Sequence, residues 1–496
     1  MRARHHQALI AGATAALGLW FLTTRFRGIQ AHGSQNEGIA IADGNVPHVL
    51  QNGLEDNRLE LDYTDGKKSE VAYAPAPTED TAVEAPSPTP RVDLDRSWDR
   101  LETLPEWSTP SPTPVDVDPT PSTSGISQAM VDNYVRAIMD SEDNSTFKRF
   151  SCPWAIGPRY ENLRATVVGR GQVRYFFALD LYQSAEIIPR LMSSIVEAIR
   201  YLGPAHCAIS VIEGRSEDGT YEILAALKSQ IEAMGSHFSL STSNVNPTGG
   251  DMSRIEALAE LRNKALDPLK TINTMGHGTE LAGTFSPEAV IIFINDIALC
   301  PEDILELVLQ HVSQDAHMTC AFDWIFNGTL FYDVWVSRSL VGNTFFEIPH
   351  DGSWTYSKDM FFDEPDGKRR YEAFQPMQVY SCWGGMVTLD AAPFAEERIQ
   401  FRASEEGECY MGEPTLLAKD LYRHGLGKIL AVPSVNVAYS DKEAVGTKHV
   451  RGYVGNHVNM SKPTMDEEEY VQWQSAPPGM LKCMPNFDQQ TWTRST

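Results

Sequence analysis

The chain is 496 residues long with 66 acidic and 41 basic side chains, a formal net charge of −25, which excludes a surface that grips a nucleic-acid backbone through Lys and Arg. Its 42% hydrophobic share is enough for a large core, but the first 150 residues hold a basic apolar start and then a tract rich in Pro, Ser, Thr and acid. The cysteines Cys152, Cys207, Cys300, Cys320, Cys382, Cys409 and Cys483 form no CxxC or Cys/His cluster, which argues against a zinc site; in an oxidising lumen some can pair and one must be left over.

Arg2, Arg4, His5 and His6 precede an uncharged stretch, residues 8–24, that contains Leu17, Leu19, Trp20, Phe21 and Leu22 and closes on Arg25 and Arg27. At a rise of about 1.5 Å per residue this run crosses a thin bilayer as a helix. A cleaved signal peptide has the same basic start, but here the run ends in bulky residues and Arg25 instead of a small-residue cleavage site. We read residues 1–7 as a cytoplasmic tail, 8–24 as a signal anchor, 25–150 as a disordered stem and 151–496 as a lumenal domain. The stem has few apolar runs and many breakers, including Pro86 to Pro90, and cannot bury enough surface to offset its ordering entropy. Sequons at Asn144, Asn327 and Asn459 are compatible with lumenal glycosylation.

In the domain, residues 173–179 form a short apolar strand, and residues 187–202 place Ile188, Leu191, Met192, Ile195, Val196, Ile199 and Leu202 on one helical stripe. Residues 207–212 read as the next strand, 214–219 as a loop, and 220–234 as a helix with Ile223, Leu224, Leu227 and Ile231 inward. Cys207 and Cys300 fall at strand edges and read as buried thiols. Residues 253–266 are helical, residues 289–294 are suited to a central strand, and Pro301, Glu302 and Asp303 open a helix carrying Ile304, Val308 and Val312. Residues 318–324 and 330–336 read as further strands, 413–423 as a helix and 428–437 as a strand. This alternation predicts an α/β domain with a mostly parallel, Rossmann-like sheet covered on both faces.

In such sheets ligands bind beyond the carboxyl ends of the strands. Asn295 and Asp296 end the central strand there, and an Asp is a hard oxygen ligand suited to Mg2+ or Mn2+; a capped turn is the plainer explanation. Glu213, Arg215 and Asp218 follow the second strand and face either a nucleotide or nothing but their own loop, with Asp218 capping the next helix. Arg402, Glu408, Cys409, Tyr410, Gly412 and Glu413 form a third patch. Glu413, just ahead of Pro414, either caps its helix or positions a carboxylate against an anomeric carbon. The aromatics Phe345, Phe346, Trp354, Tyr356, Phe361 and Phe362 serve a core more readily than a sugar platform.

The stretches FINDIALCPEDILELVLQH, DAHMTCAFDW, FYDVWVSRSLVGNTFFEIP, QVYSCWGGM, ECYMGEPTLLAKDLYRHG and ILAVPSVNVAYSD, in that order, resemble the fungal capsule-associated α-1,3-mannosyltransferases (glycosyltransferase family 69). The resemblance runs from Tyr175 to Asp441. It implies a GT-A-like fold, a type II Golgi anchor, and transfer of mannose from GDP-mannose to the 3-hydroxyl of a mannose-containing acceptor with retention of configuration. It further implies a divalent cation, Mn2+ or Mg2+, on Asp296 with Asn295 beside it. Glu408 and Glu413 would line the reaction centre; Glu213, Arg215 and Asp218, from their place after the second strand, and Arg402, from the third patch, are the candidates to face the nucleotide sugar. The Asn-Asp-Ile sequence departs from the Asp-X-Asp usual in that fold class. The alternatives are another nucleotide sugar such as UDP-xylose, or a non-catalytic factor in polysaccharide assembly or export.

Overall fold

The computed structural model describes residues 125–153, 156–164, 172–249, 252–270 and 285–495. The tail, the anchor and the stem as far as residue 124 lie outside them. Among the described residues no helix is long and apolar enough to cross a membrane.

A helix, α1 (Gln128–Met139), belongs to the packed body, so the ordered chain begins ahead of residue 151. Ser127 caps it, and its buried Val131, Ala137 and Ile138 turn inward. The α/β alternation then follows: β1 (Val173–Leu181), α2 (Ile188–Leu202), β2 (Cys207–Glu213), α3 (Thr220–Ala233), β3 (His237–Thr242) and α4 (Arg254–Ala265). After the short α5 (Asp267–Lys270) come β4 (Phe285–Ile294), α6 (Pro301–Ser313), β5 (Met318–Ile325) and β6 (Leu330–Phe331). The last part holds α7 (Pro365–Glu372), β7 (Met377–Gln378), β8 (Met386–Asp390), α8 (Ala392–Ala395), α9 (Glu413–Arg423), β9 (Ile429–Ala438) and α10 (Asp441–Arg451), then a hairpin of β10 (Met480–Cys483) and β11 (Thr491–Arg494).

The main sheet has the order β3-β2-β1-β4-β8-β5-β9-β7, with β6 paired to β5. Strands β3, β2, β1 and β4 are mutually parallel, and so are β5 and β9. Strand β8 runs antiparallel between β4 and β5. The sheet is therefore mixed, with a mostly parallel left half. The strand expected over 330–336 stops at Phe331, and residues 332–336 form a turn-rich loop.

Strand periodicity sorts the two cores. In β1, Tyr175, Phe177 and Leu179 pack on one face with the α2 stripe and with Ile223, Leu224, Leu227 and Ile231 of α3. Phe176 and Ala178 pack on the other face with Ala259 and Ala265 of α4 and with the aromatic cluster of Phe345, Phe346 and Phe361. These three rings are core, while Trp354 and Phe362 are half-buried and Tyr356 is exposed. Val312, expected inward on α6, is 38% exposed because it sits in the last turn. Three disulfides, Cys152–Cys300, Cys320–Cys382 and Cys409–Cys483, use every cysteine except the buried Cys207. Cys300 is thus bonded, which corrects its reading as a thiol, whereas Cys207 is a buried thiol as expected.

Candidate active site

The polar face of the sheet follows from the same periodicity. Asp180 comes next after Phe176 and Ala178 on the face covered by α4, one register step from the end of β1, where Leu181 pairs with Glu213. Asn295 continues the run Ile291, Phe293 of β4 onto the same face. Its side-chain oxygen accepts the Trp383 indole N–H at 3.2 Å, and its backbone N–H donates to the Gly385 carbonyl at 2.9 Å.

Arg262 of α4 reaches this face. Its guanidinium lies 3.8 Å from the centre of the Trp383 ring and 2.6 Å from a Glu413 carboxylate oxygen. Glu413 is the first residue of α9, after an N-cap Gly412 that offers no side chain, and it spends its carboxylate on Arg262 instead of on the helix. Its carboxylate is therefore paired with Arg262 and makes no side-chain cap of its helix. The Gly384 N–H donates to Asp333 at 2.7 Å, and the Asp333 N–H donates to Asp323 at 3.2 Å. The Tyr439 hydroxyl closes the chain by donating to Asp323 at 2.6 Å.

The electrostatics follow from crowding carboxylates in one place. Burial pushes Asp180 up to about 7; Arg262 opposes this, while Asp296 and Glu413 add to it. Protein atoms around Asp296 push it up to about 6, although its side chain is open to solvent, which limits the rise. Asp333 is pushed up to about 6 by burial, with the Gly384 N–H and Arg262 drawing it back. Asp323, fully buried, is held well above the carboxylate range by burial and by the charge of Asp333. Arg254, at the start of α4, is lowered by burial and faces Glu413, Tyr332 and Tyr410. Asp180, Asp296, Asp333 and Glu413 thus gather against Arg262 and Arg254. Such a floor attracts cationic charge, with Arg262 committed to Glu413 and Trp383 and the half-buried Arg254 left as the more accessible cation.

The remaining residues singled out from sequence are placed less centrally. The buried Glu213 accepts the Arg215 N–H at 2.9 Å and the Ser216 N–H at 2.6 Å, holding Arg215 at φ 61°. Asp218 accepts from the Ala185 N–H at 2.8 Å and from the Thr220 N–H and hydroxyl. Both acids are thus spent on their loop, which leaves Arg215, half-buried, as the one of these three with a side chain to offer. Arg402 binds Glu408 and Asp420, each at 2.6 Å, and Lys419 binds Glu408 at 2.7 Å. That network holds Glu408 well below the carboxylate range. Asn144, Asn327 and Asn459 all carry exposed side chains.

Among the described residues no three His, Cys, Asp or Glu side chains stand close enough together to hold a metal ion by themselves. Asp296 fits a hard cation as a single exposed carboxylate with no side-chain hydrogen-bond partner among the described residues, and its remaining ligands would be diphosphate oxygens and water. The oxygen of Asn295 is already engaged by Trp383.

Asp180, Arg262, Asp333, Asp323 and Arg254 escape the sequence reading. A signal was present for two of them: Asp180 extends an apolar strand at period two, and Arg262 sits among Ile255, Ala259 and Ala265 on a buried face, where a cation needs a partner.

Comparison with known proteins adds the context. Residues 174–420 match the family described as Cryptococcal mannosyltransferase 1. The chain is 34% identical over 326 residues to alpha-1,3-mannosyltransferase CMT1 of Cryptococcus neoformans var. neoformans, covering 63% of this chain and 68% of that protein. Among solved structures it aligns with the mannosyltransferase PcManGT from Pyrobaculum calidifontis in complex with GDP-Man and Mn2+, at 10% identity and a TM-score of 0.31 over 62% of this chain and 65% of that one. It aligns equally with S. aureus TarS 1-349, at 13% identity and a TM-score of 0.31 over 60% and 67%. At that level no residue is carried over.

Proposed function

Because the chain belongs to the cryptococcal mannosyltransferase family, we propose that it transfers mannose from GDP-mannose to the 3-hydroxyl of an α-mannoside, with retention of configuration. The chain is a glycosyltransferase that moves mannose; donor, linkage and acceptor are the proposal. The observation that carries it is the 34% identity across two thirds of a relative named as an α-1,3-mannosyltransferase.

The site supports this chemistry. In the GT-A-like arrangement we infer for the mixed sheet, the donor lies across the carboxyl ends of β1 and β4. Asp296 would hold a divalent cation, Mn2+ or Mg2+, which would neutralise the developing charge on the leaving diphosphate. Arg254 stands ready for a phosphate oxygen, and Arg215 flanks the nucleotide side. Glu413, held rigid by Arg262, would stabilise the positive charge that develops at the anomeric carbon. Asp333, anchored by the Gly384 N–H, would accept from a sugar hydroxyl. Three disulfides and three exposed sequons favour a lumenal domain, and the apolar run over residues 8–24 favours a type II Golgi anchor.

Purified residues 126–496 should transfer mannose from GDP-mannose to α-mannobiose when Mn2+ is present, the product linkage being read by NMR. Transfer from UDP-xylose instead would reassign the donor. No transfer from any nucleotide sugar, with folded protein, would favour a non-catalytic role.

A further inference from the structure

Many large rings of the described residues are sealed in the cores, while others keep part of their surface exposed. Tyr332, Trp335 and Tyr410 are half-buried, and all lie in loops beside the acidic floor. Tyr332 precedes Asp333 in the chain, and Trp335 follows it by two residues. The 332–336 loop is pinned against the start of α9, because the Thr415 hydroxyl donates to the Val336 carbonyl at 2.8 Å. A Cβ at Gly412 would come within 2.5 Å of the Val336 side chain, with the Trp335 ring at 3.4 Å, so the bare backbone ahead of Glu413 lets the two loops close up. Trp335 and Tyr410 then meet at 6.2 Å between ring centres, tilted by 49°. Both are held from behind: the Trp335 indole N–H donates to the Met484 carbonyl, and Cys409, beside Tyr410, is bonded to Cys483.

We infer that Trp335 and Tyr410 form a platform for a pyranose ring of the acceptor glycan, seating its C–H face on the rings and its hydroxyls toward Asp333 and Glu413. The inference rests on the glycosyltransferase reading above and adds the acceptor subsite to it. Flat rings with low side-chain entropy, fixed by backbone and disulfide contacts and left open on one side, suit a ligand with one apolar and one polar aspect. Core packing accounts for only part of Trp335, which packs against the core, because both rings keep some exposed surface while Phe345, Phe346 and Phe361 nearby in the chain are sealed. Nor does nucleotide stacking fit as well, because these rings border Glu413 and Asp333, whereas the loop carrying Arg215 follows β2, on the far side of β1 from β4.

The test separates acceptor from donor. Tyr410→Ala should raise the KM for α-mannobiose by roughly tenfold and leave the KM for GDP-mannose within twofold. Tyr410→Phe, which keeps the ring and drops the hydroxyl, should restore the acceptor KM, and Trp335→Leu should behave like Tyr410→Ala. An acceptor KM that stays within twofold in both ring deletions, or a donor KM that rises equally, overturns the platform. If the parent protein does not cleave or transfer from GDP-mannose, the mannosyl-transfer reading fails by itself. The platform is then decided by saturation-transfer NMR with α-mannobiose on the folded protein, where ring-proton transfer to the sugar must be present in the parent and absent in Tyr410→Ala.

Discussion

Arg262 and Glu413 meet at 2.6 Å with side chains only 7% and 3% exposed. Neither charge would be tolerated there alone, and each is long enough to reach the other only because α4 and the start of α9 cover the same face of the sheet. Removing one partner of a buried pair strands the other, at a cost of about 3–5 kcal/mol. Arg262→Met is therefore expected to lower unfolding stability by about that amount and to abolish transfer. Glu413→Gln preserves the shape, should cost less in denaturant titration, and should still reduce kcat on the order of 100-fold or more. Equal stability losses with normal kcat would remove Glu413 from the chemistry.

The carboxyl values of Asp296 and Asp333, about 6, and of Asp180, about 7, lie above the ordinary 3.8. Between those limits the folded state keeps protons that the unfolded chain has released. The stabilisation from these groups is thus complete below pH about 4 and is lost as pH rises through 6 to 7. In EDTA, Tm should fall across that interval. Mn2+ binds the ionised form, so the Tm increment it confers should grow from pH 5 to 7. A cation increment that is flat with pH would count against Asp296 as a ligand.

Asp296→Asn keeps the volume and removes the charge. We expect a folded protein whose Tm shift with GDP no longer depends on Mn2+, and transfer reduced on the order of 100-fold or more. A variant still showing the parent's Mn2+ dependence would move the cation site elsewhere.

Gly384 sits at φ +64°, and a Cβ there would run into the Ala321 carbonyl oxygen. Both the left-handed backbone and the close approach require glycine. Gly384→Ala should destabilise by about 2–4 kcal/mol and release Asp333 from its 2.7 Å hydrogen bond. Thermal unfolding, with the pH profile of transfer beside it, would show both effects.

The Cys409–Cys483 bond links residues 74 apart in sequence. On chain-entropy grounds it is worth up to about 4 kcal/mol. Replacing both cysteines by Ser should lower Tm and also raise the acceptor KM, since the same bond steadies the loop that carries Tyr410. A change in Tm alone would separate the loop from the site.

What the sequence disclosed and concealed has a physical pattern. The helices over 188–202, 220–233, 254–265, 301–313 and 413–423 are long and periodic, and they stand within a residue or so of where periodicity puts them. Strand β8, five residues long, has no period to read and pairs with partners distant in sequence. The β10–β11 hairpin is equally short and gains its place through Cys483 and Arg338, whose guanidinium donates to the Lys482 carbonyl. Asp296 was visible because it follows a strong apolar strand. Arg262 and Asp333 were hidden because their meaning lies in partners, Glu413 and Gly384, that only the folded chain supplies. Glu408 shows the converse: its sequence neighbourhood pointed to a site, and its nearest cations have claimed it.

Strand β8 also has a consequence in time. It separates β4 from β5, so these two have no partner between them until residues 386–390 have entered the sheet. A chain emerging from its N-terminus would carry two bare hydrogen-bonding edges through that interval, a hazard for pairing with other chains. The arrival of Met386–Asp390 closes the gap, and the preceding Trp383 and Gly384 bring Asn295 and Asp333 to their partners in the same event. Closure of the β4–β8–β5 strip and the docking of Trp383 and Gly384 on Asn295 and Asp333 are therefore linked, with β9 and Glu413 following later in the chain, and fragments ending before residue 386 should aggregate as well as lack activity.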